Sequence, residues 1–512
     1  EELLPYGCGD TDATFRLTNM FNKTLSSKQL DWLYNFYMPL HYVYEEGERK
    51  GVGLDLTKIE EVKVKYTEES LKIESKICEI ANKPDNEGIR ERIKLENPDA
   101  NESKLDRLIK KEIFNLNSPP QLAEVLFKEM KLPVILKTDS GQPSTNKEVL
   151  KELANEYPFC RTLVSYKNMM KMISTYLNGA LKFCDIEGTI VSGFPMVHFS
   201  TNLVGTVTGR TSIKKYPLQT IPRKPEIRNI ICSPPGWKLI EFDLSQIELR
   251  LAAWYSQDPV MLQEFKDKID IHIGTLIFMI TRAGLNPETE IPKLKENGTF
   301  KERRKRAKLY NFGGLYRGGK KTLTSSINEK LEEGEPHVSL EDSQAHLDFF
   351  FNKYKGLENY YDLSEEKAKK DKQVTSCFGR IRRLPALNLP DVKENQKLRQ
   401  EALRYANNSP IQGSGSDLTQ FAAIDINRWL KKHNKKTYIS FNVHDALFAL
   451  APDDEVYDYC MVAKEMMEKE RPPIMRESIE IKAEGSVMTN WASPFNDEQL
   501  KPFNLTKQIL ED

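Results

Sequence analysis

Three groups of side chains in this sequence could do chemistry together. Asp243 follows the apolar run Leu239, Ile240 and Phe242 and precedes Ile247, Leu251, Trp254 and Tyr255 at helical spacing, so a carboxylate stands where a strand gives way to a helix. His444-Asp445 interrupts TYISFNVHDALFAL, residues 437–450, which reads as two apolar strands with the dipeptide at their turn. Arg304, Lys308, Phe312 and Tyr316 recur at every fourth residue. Such steps drift only about 40° around a helix, so all four share one broad face. Two carboxylates can hold a pair of divalent cations roughly 3.5–4 Å apart. An Arg can grip phosphate bidentately, and a Lys supplies a point charge and an acid for a leaving group. Each feature also has a plainer reading. Ser245-x-x-Glu248 is a capping box that would satisfy a helix start, a His-Asp pair alone is weak, and His272 alone is an ordinary helix histidine. A basic amphipathic helix, however, does not explain Phe312 and Tyr316 on the stripe of Arg304 and Lys308.

The chain that must position these groups has 512 residues, enough for several domains or for one large enzyme with subdomains around a cleft. Lys plus Arg and Asp plus Glu are each 75. This balance excludes a wholly basic surface, yet KERRKRAK (301–308), RGGKK (317–321) and RIRR (380–383) segregate positive charge locally. Seven scattered cysteines without a Cys-x-x-Cys pair favour free thiols in a reducing compartment. The absence of a signal peptide and of an apolar run of about 18 residues leads us to expect a soluble, intracellular protein with no membrane partner. The first residue is Glu1, which suggests a processed product or a fragment. Residues 57–113 are charged and apolar-periodic, and Pro84, Asn86 and Gly88 divide them into two expected helices, a hairpin suited to duplex phosphates. Residues 281–302, with Gly284, Pro287, Pro292 and Gly298, read as a loop insertion.

Read as whole strings, these segments resemble family A (polymerase I type) DNA polymerases. Phe-Asp-Leu-Ser-Gln-Ile-Glu-Leu-Arg-Leu from Phe242 resembles motif A, DYSQIELR, with Leu244 in place of Tyr. Arg304-x3-Lys308-x3-Phe312-Gly-x2-Tyr316 matches motif B, and His444-Asp445 resembles motif C. Asp270-Ile-His272, Thr208-Gly-Arg210-Thr-Ser, Pro217-Leu-Gln-Thr-Ile-Pro and Arg404-x3-Asn408-x3-Gln412 through Asp417 fall in the family's order. So do EGERKGVGLD near the start of the expected hairpin, FNLNSPPQL, TSCFGRIRRLP and GSVMTNWAS. Tyr6-x3-Asp10 resembles the closing motif of the family's 3′ to 5′ exonuclease domain. The resemblance covers nearly the whole chain.

That resemblance implies an α+β, right-hand polymerase fold of thumb, palm and fingers with a truncated exonuclease-like stub. The expected divisions are the stub at 1–35, thumb with palm entry at 36–180, first palm part at 181–260, fingers at 261–405 and second palm part at 406–512. It implies template-directed addition of dNTPs to a primer 3′-hydroxyl, in replication or repair. Asp243, Asp445 and Lys308 would be catalytic, and Asp243, Leu244 and Asp445 would hold two Mg²⁺ ions, for which Mn²⁺ is expected to substitute. Gln246, Glu248, His272, Arg304, Lys308, Phe312 and Tyr316 would meet the dNTP, with Glu248 the steric gate against a 2′-hydroxyl. Arg210, Arg404, Asn408, Gln412 and His444 would meet primer-template DNA. Tyr6 and Asp10 would be an exonuclease remnant, completed by a separate segment or polypeptide, and replication proteins are possible further partners. Three departures stand out: Leu244, Arg317-Gly-Gly where the family has Gly-Met-Ser, and Ala446 where it has Glu. They lean toward a phage or organelle lineage and put the accessory role of that Glu in doubt. The rivals are a single-subunit RNA polymerase, against which Glu248 argues, and an inactive DNA-binding subunit, against which Asp243, Asp445 and Lys308 argue.

Overall fold

The computed structural model describes residues 3–188, 193–330, 337–474 and 478–511. Its centre is an antiparallel sheet of four strands in the order Tyr438–Val443, Ala446–Pro452, Trp237–Leu244 and Ala483–Met488. Period-2 patterning builds it. On one face Ile240, Phe242, Leu244, Leu447, Ala449 and Val487 join the largest hydrophobic cluster, beneath the helices Ile247–Ser256, Gln396–Lys432 and Val456–Glu468. On the other face Leu239, Phe448, Leu450 and Met488 pack with Val52, Leu54, Met196 and Ile231 of a second, smaller antiparallel sheet. The strand therefore reads apolar on both faces until Glu241 and Asp243, where the second face passes from core to cleft.

The Met38–Lys50 helix, which leads into the smaller sheet, lies against the central sheet through a close approach at Gly47, in the EGERKGVGLD string. A Cβ there would stand 2.1 Å from the Ser440 carbonyl oxygen, so only glycine fits on the Met38–Lys50 helix. A separate cluster of Ile77, Phe114, Leu122, Leu150 and Leu163 stabilises a helical arm formed mainly by Leu56–Ile80 and Pro158–Lys171. This arm departs from expectation. Beyond Pro84 the chain forms two helices, Asn86–Glu96 and Glu102–Glu112, because Asn97 precedes Pro98 and a residue before proline leaves the helical region. The expected loop at 281–302 contains the helix Pro287–Glu296, with Pro287 in its first turn and the Asn286 side chain accepting from the Glu288 amide. Its Leu294 is buried against Leu276, Ile280 and Ala307, which a solvent loop would not provide.

The 37-residue helix Gln396–Lys432 runs through the expected boundary at 405/406, so fingers and palm would share one continuous element. Pro410 sits inside it and cannot donate to the Ala406 carbonyl. The Ser364 hydroxyl donates to that oxygen at 3.1 Å instead. At the other end of the chain, Leu3–Thr24 is a helix whose described side chains, Asp10 included, are all exposed, while the Tyr6 side chain lies outside the described residues. All seven cysteines are free. Among the described residues no helix is long and apolar enough to cross a membrane.

Candidate active site

Motif A and motif C meet edge to edge on the central sheet. Ala446 stands directly opposite Asp243, and the Leu244 amide donates to the Asp445 carbonyl at 3.4 Å. His444 takes a left-handed φ of 56° in the two-residue turn between Val443 and Ala446, which lets the hairpin reverse at once. A second left-handed residue, Gln246 at φ 52°, converts the strand into the Ile247–Ser256 helix immediately after Asp243. The two turns bring both carboxylates to one cavity of about 340 Å³, together with Arg210, Glu241, Leu244, Gln246, Glu248, Lys308, Phe312, Tyr316 and His444.

Four carboxylates, Glu241, Asp243, Glu248 and Asp445, and four cationic side chains, Arg210, Arg223, Arg228 and Lys308, line this cavity. Burial raises the Asp243 carboxyl to about 7, the charges of Asp445 and Glu241 push in the same direction, and Lys308 opposes them. Its side chain nevertheless opens on the cleft. Asp445 is also raised by burial, though the Arg210 guanidinium beside it draws it back. One Arg210 nitrogen, Nη2, donates to Glu248 at 2.7 Å and to Asp445 at 3.2 Å. Burial and the Arg210 charge push the His444 imidazole down.

Glu248 does not cap its helix, contrary to the plain reading of Ser245-x-x-Glu248. Its buried carboxylate accepts from Arg210 and from the Tyr316 hydroxyl, while the Ser245 hydroxyl donates to Glu484. The Phe300–Leu315 helix, ending at Tyr316, carries Lys308 and Phe312 into the cavity on one stripe, with the Lys308 Nζ 5.6 Å from the Phe312 ring centre. Arg304, one turn earlier, is drawn aside. It pairs with Asp270 at 2.6 Å, and Asp270 also caps the Ile271–Arg282 helix. His272 is buried and outside the cavity lining. Its Nδ1 bonds the Asn311 side chain at 2.8 Å, and burial lowers the ring to about 4. Arg404, Asn408 and Gln412 lie four residues apart on the Gln396–Lys432 helix, outside the cavity lining, with Arg404 exposed.

The first arginine of each of two basic runs is a clamp within the chain. Arg317 holds Asp362 and Glu365, each at 2.7 Å, and Arg380 pairs with buried Asp417 at 2.5 Å. Sequence reasoning passed over Glu241, Arg223, Arg228 and Trp491, which also line the cavity. Glu241 was within reach of the period-2 rule, being two residues before Asp243. Arg228 ends the four-residue helix Pro225–Arg228, and Arg223 and Trp491 lie outside any helix or strand, so none of the three carries a periodic signal.

Comparison with known proteins places this geometry. Residues 95–493 match the sequence profile of DNA polymerase family A. The chain is 30% identical over 488 residues to a DNA polymerase I of Caldicellulosiruptor bescii, covering 93% of this chain and 49% of that one. It is 29% identical to the DNA polymerase of Escherichia phage T5, covering 91% and 53%. The chain thus spans about half the length of the curated relatives it matches. The polymerase domain of Pol1 from M. smegmatis, solved in complex with DNA primer-template and dNTP, superposes with a TM-score of 0.71 at 24% identity, over 90% of this chain and 71% of that one. The likeness assigns the right-hand polymerase fold, and the sequence match is decisive: the chain belongs to DNA polymerase family A.

Proposed function

We propose that this chain is a template-directed DNA polymerase that adds dNTPs to a primer 3′-hydroxyl, with Asp243 and Asp445 as its paired carboxylates. One observation carries the reading: both carboxylates line one cavity with Lys308, Phe312, Tyr316 and Glu248. The donor set suits Mg²⁺, because it is oxygen-rich and hard, and because a cation would relieve the Asp243 carboxyl, which burial and the neighbouring carboxylates push up. Asp243 and Asp445 would hold two such ions with the Leu244 backbone, and Mn²⁺ would serve in their place. The ions would supply Lewis acidity at the attacking and leaving oxygens.

The chain's own groups do the rest. The primer 3′-oxygen attacks the α-phosphorus, the bond to pyrophosphate breaks, and Lys308 faces the charge that develops there. Phe312 and Tyr316 wall the sugar and base. Glu248, fixed by Tyr316 and Arg210, stands where a 2′-hydroxyl would enter. Arg210 must release Asp445 when cations bind, and its freed guanidinium then meets the primer terminus. Arg404, Asn408 and Gln412 face the template, His444 the primer strand. Arg304 and His272 reach phosphate only after leaving Asp270 and the core. Tyr6 and Asp10, on the Leu3–Thr24 helix, would belong to an exonuclease-like unit.

Primer extension with an end-labelled primer-template, Mg²⁺ and either dNTPs or rNTPs tests the reading. Templated extension with dNTPs is expected. Preference for rNTPs would support the RNA polymerase, and binding without extension would support an inactive DNA-binding subunit.

A further inference from the structure

We propose that Glu241 carries a third carboxylate to the cation site, into the room that Ala446 leaves open; the inference rests on the two-cation reading above. Strand register makes the case. Glu241 and Asp243 are two residues apart on one strand and share a face of the sheet. On the neighbouring strand Ala446 stands opposite Asp243 and Phe448 opposite Glu241, so Ala446 is the diagonal neighbour of Glu241. Such diagonal positions lie roughly 7–8 Å apart and are within reach of long side chains. With only a methyl group at 446, the space above that strand is left to the side chain from 241.

The surroundings of Glu241 favour this use. Its half-buried carboxylate lines the same cavity as Asp243 and Asp445, and among the described residues it makes no hydrogen bond or ion pair. Leaving a carboxylate so placed is costly unless something polar or charged meets it. Arg228 lies near but is held flat on Trp491, its guanidinium 4.6 Å from the ring centre. Phe448, opposite Glu241 in register, and Trp491, with ring centres 5.1 Å apart, form the apolar part of the wall beside it and offer its carboxylate no charge. The competing use of Glu241 is to neutralise Arg223 and Arg228.

The test is Mn²⁺ binding to the full chain, without nucleotide, followed by electron paramagnetic resonance. Wild-type binding should weaken strongly in Asp243→Asn. Glu241→Gln, nearly isosteric, should weaken it about ten-fold with an unchanged melting temperature in chelator. Glu241→Asp keeps the charge but withdraws it by one methylene, and it should weaken binding too. Adding Ala446→Glu to Glu241→Gln should restore affinity to within about two-fold of wild type, since it returns a carboxylate to the same space. Unchanged Mn²⁺ affinity in both Glu241 variants overturns the inference alone, as does a loss that Ala446→Glu fails to recover. An altered salt dependence of primer-template binding with Mn²⁺ affinity intact would assign Glu241 to the arginines, and the inference falls. Wild-type Mn²⁺ binding that ignores Asp243→Asn overturns the two-cation reading itself.

Discussion

The carboxylate cavity and the Arg380–Asp417 pair use the same residue types to opposite ends. Asp417 is fully buried, meets Arg380 through both Nε and Nη2, and accepts from Ser376, while Trp32, Phe36 and Tyr37 cover the guanidinium face. Every charge there is answered within the chain. In the cavity, Asp243, Asp445, Glu241 and Glu248 converge, and Arg210 is shared between two of them. A sealed pair organises the fold around it; carboxylates that share one guanidinium beside an open cavity are poised for something that the chain does not itself contain.

The comparison is broken most severely by changes at the carboxylates. Asp243→Ala and Asp445→Ala should each reduce single-nucleotide incorporation by roughly a thousand-fold or more, because both proposed cations would depend on them. Primer-template affinity should stay nearly constant in a filter-binding titration, and a parallel loss of DNA binding would assign these residues to folding instead. Asp417→Ala should do the reverse. It strands a buried guanidinium, so denaturant unfolding should show a loss of about 3–5 kcal/mol, while the folded fraction retains its turnover. If Asp417→Ala loses turnover at full stability, the two regions are not separate in function.

Smaller effects sharpen the contrast. Glu248→Ala should raise ribonucleotide use about ten-fold or more, read as the ratio of rNTP to dNTP kcat/KM, since the carboxylate proposed to block the 2′-hydroxyl would be gone. An unchanged ratio would remove Glu248 from the sugar pocket. The smallest expected effect is in pH. The Asp243 carboxyl titrates near 7 in the folded chain and near 4 when unfolded, so between these values the folded state binds the extra proton. Stability without divalent cations should therefore fall as pH rises from about 4 to about 7. Asp243→Asn should flatten that part of a melting-temperature profile. A profile of identical slope would mean that Asp243 is already ionised there.

The strings that carry motifs A, B and C were legible because each is local. A period-2 strand, a two-residue turn and a four-residue helical stripe are each written in consecutive residues, and the structure assembles Asp243, Asp445, Lys308, Phe312 and Tyr316 as those patterns require. What was not legible depended on partners distant in sequence. Arg304 leaves the stripe because Asp270 holds it, and Arg210 faces two carboxylates, one of them 235 residues away. Glu248 escapes its cap because Tyr316 and Arg210 compete for it. The helix at Pro287–Glu296 was hidden by prolines that read as breakers, although one of them sits where a helix start tolerates it.

The Ser364 hydroxyl that answers the Ala406 carbonyl has a mechanical consequence. By accepting Pro410 without a break, the Gln396–Lys432 helix remains a single rod about 55 Å long. Near its start the rod carries Arg404, Asn408 and Gln412. Further along, Gly415 lies against Ile247 and Leu251 of the helix that follows Asp243, and the Thr419 hydroxyl reaches the Asp445 carbonyl at 3.5 Å. The face proposed to meet primer-template DNA and the seats of both carboxylates are thus gauged from one ruler, and the spacing between them is set by helix geometry and not by a loop.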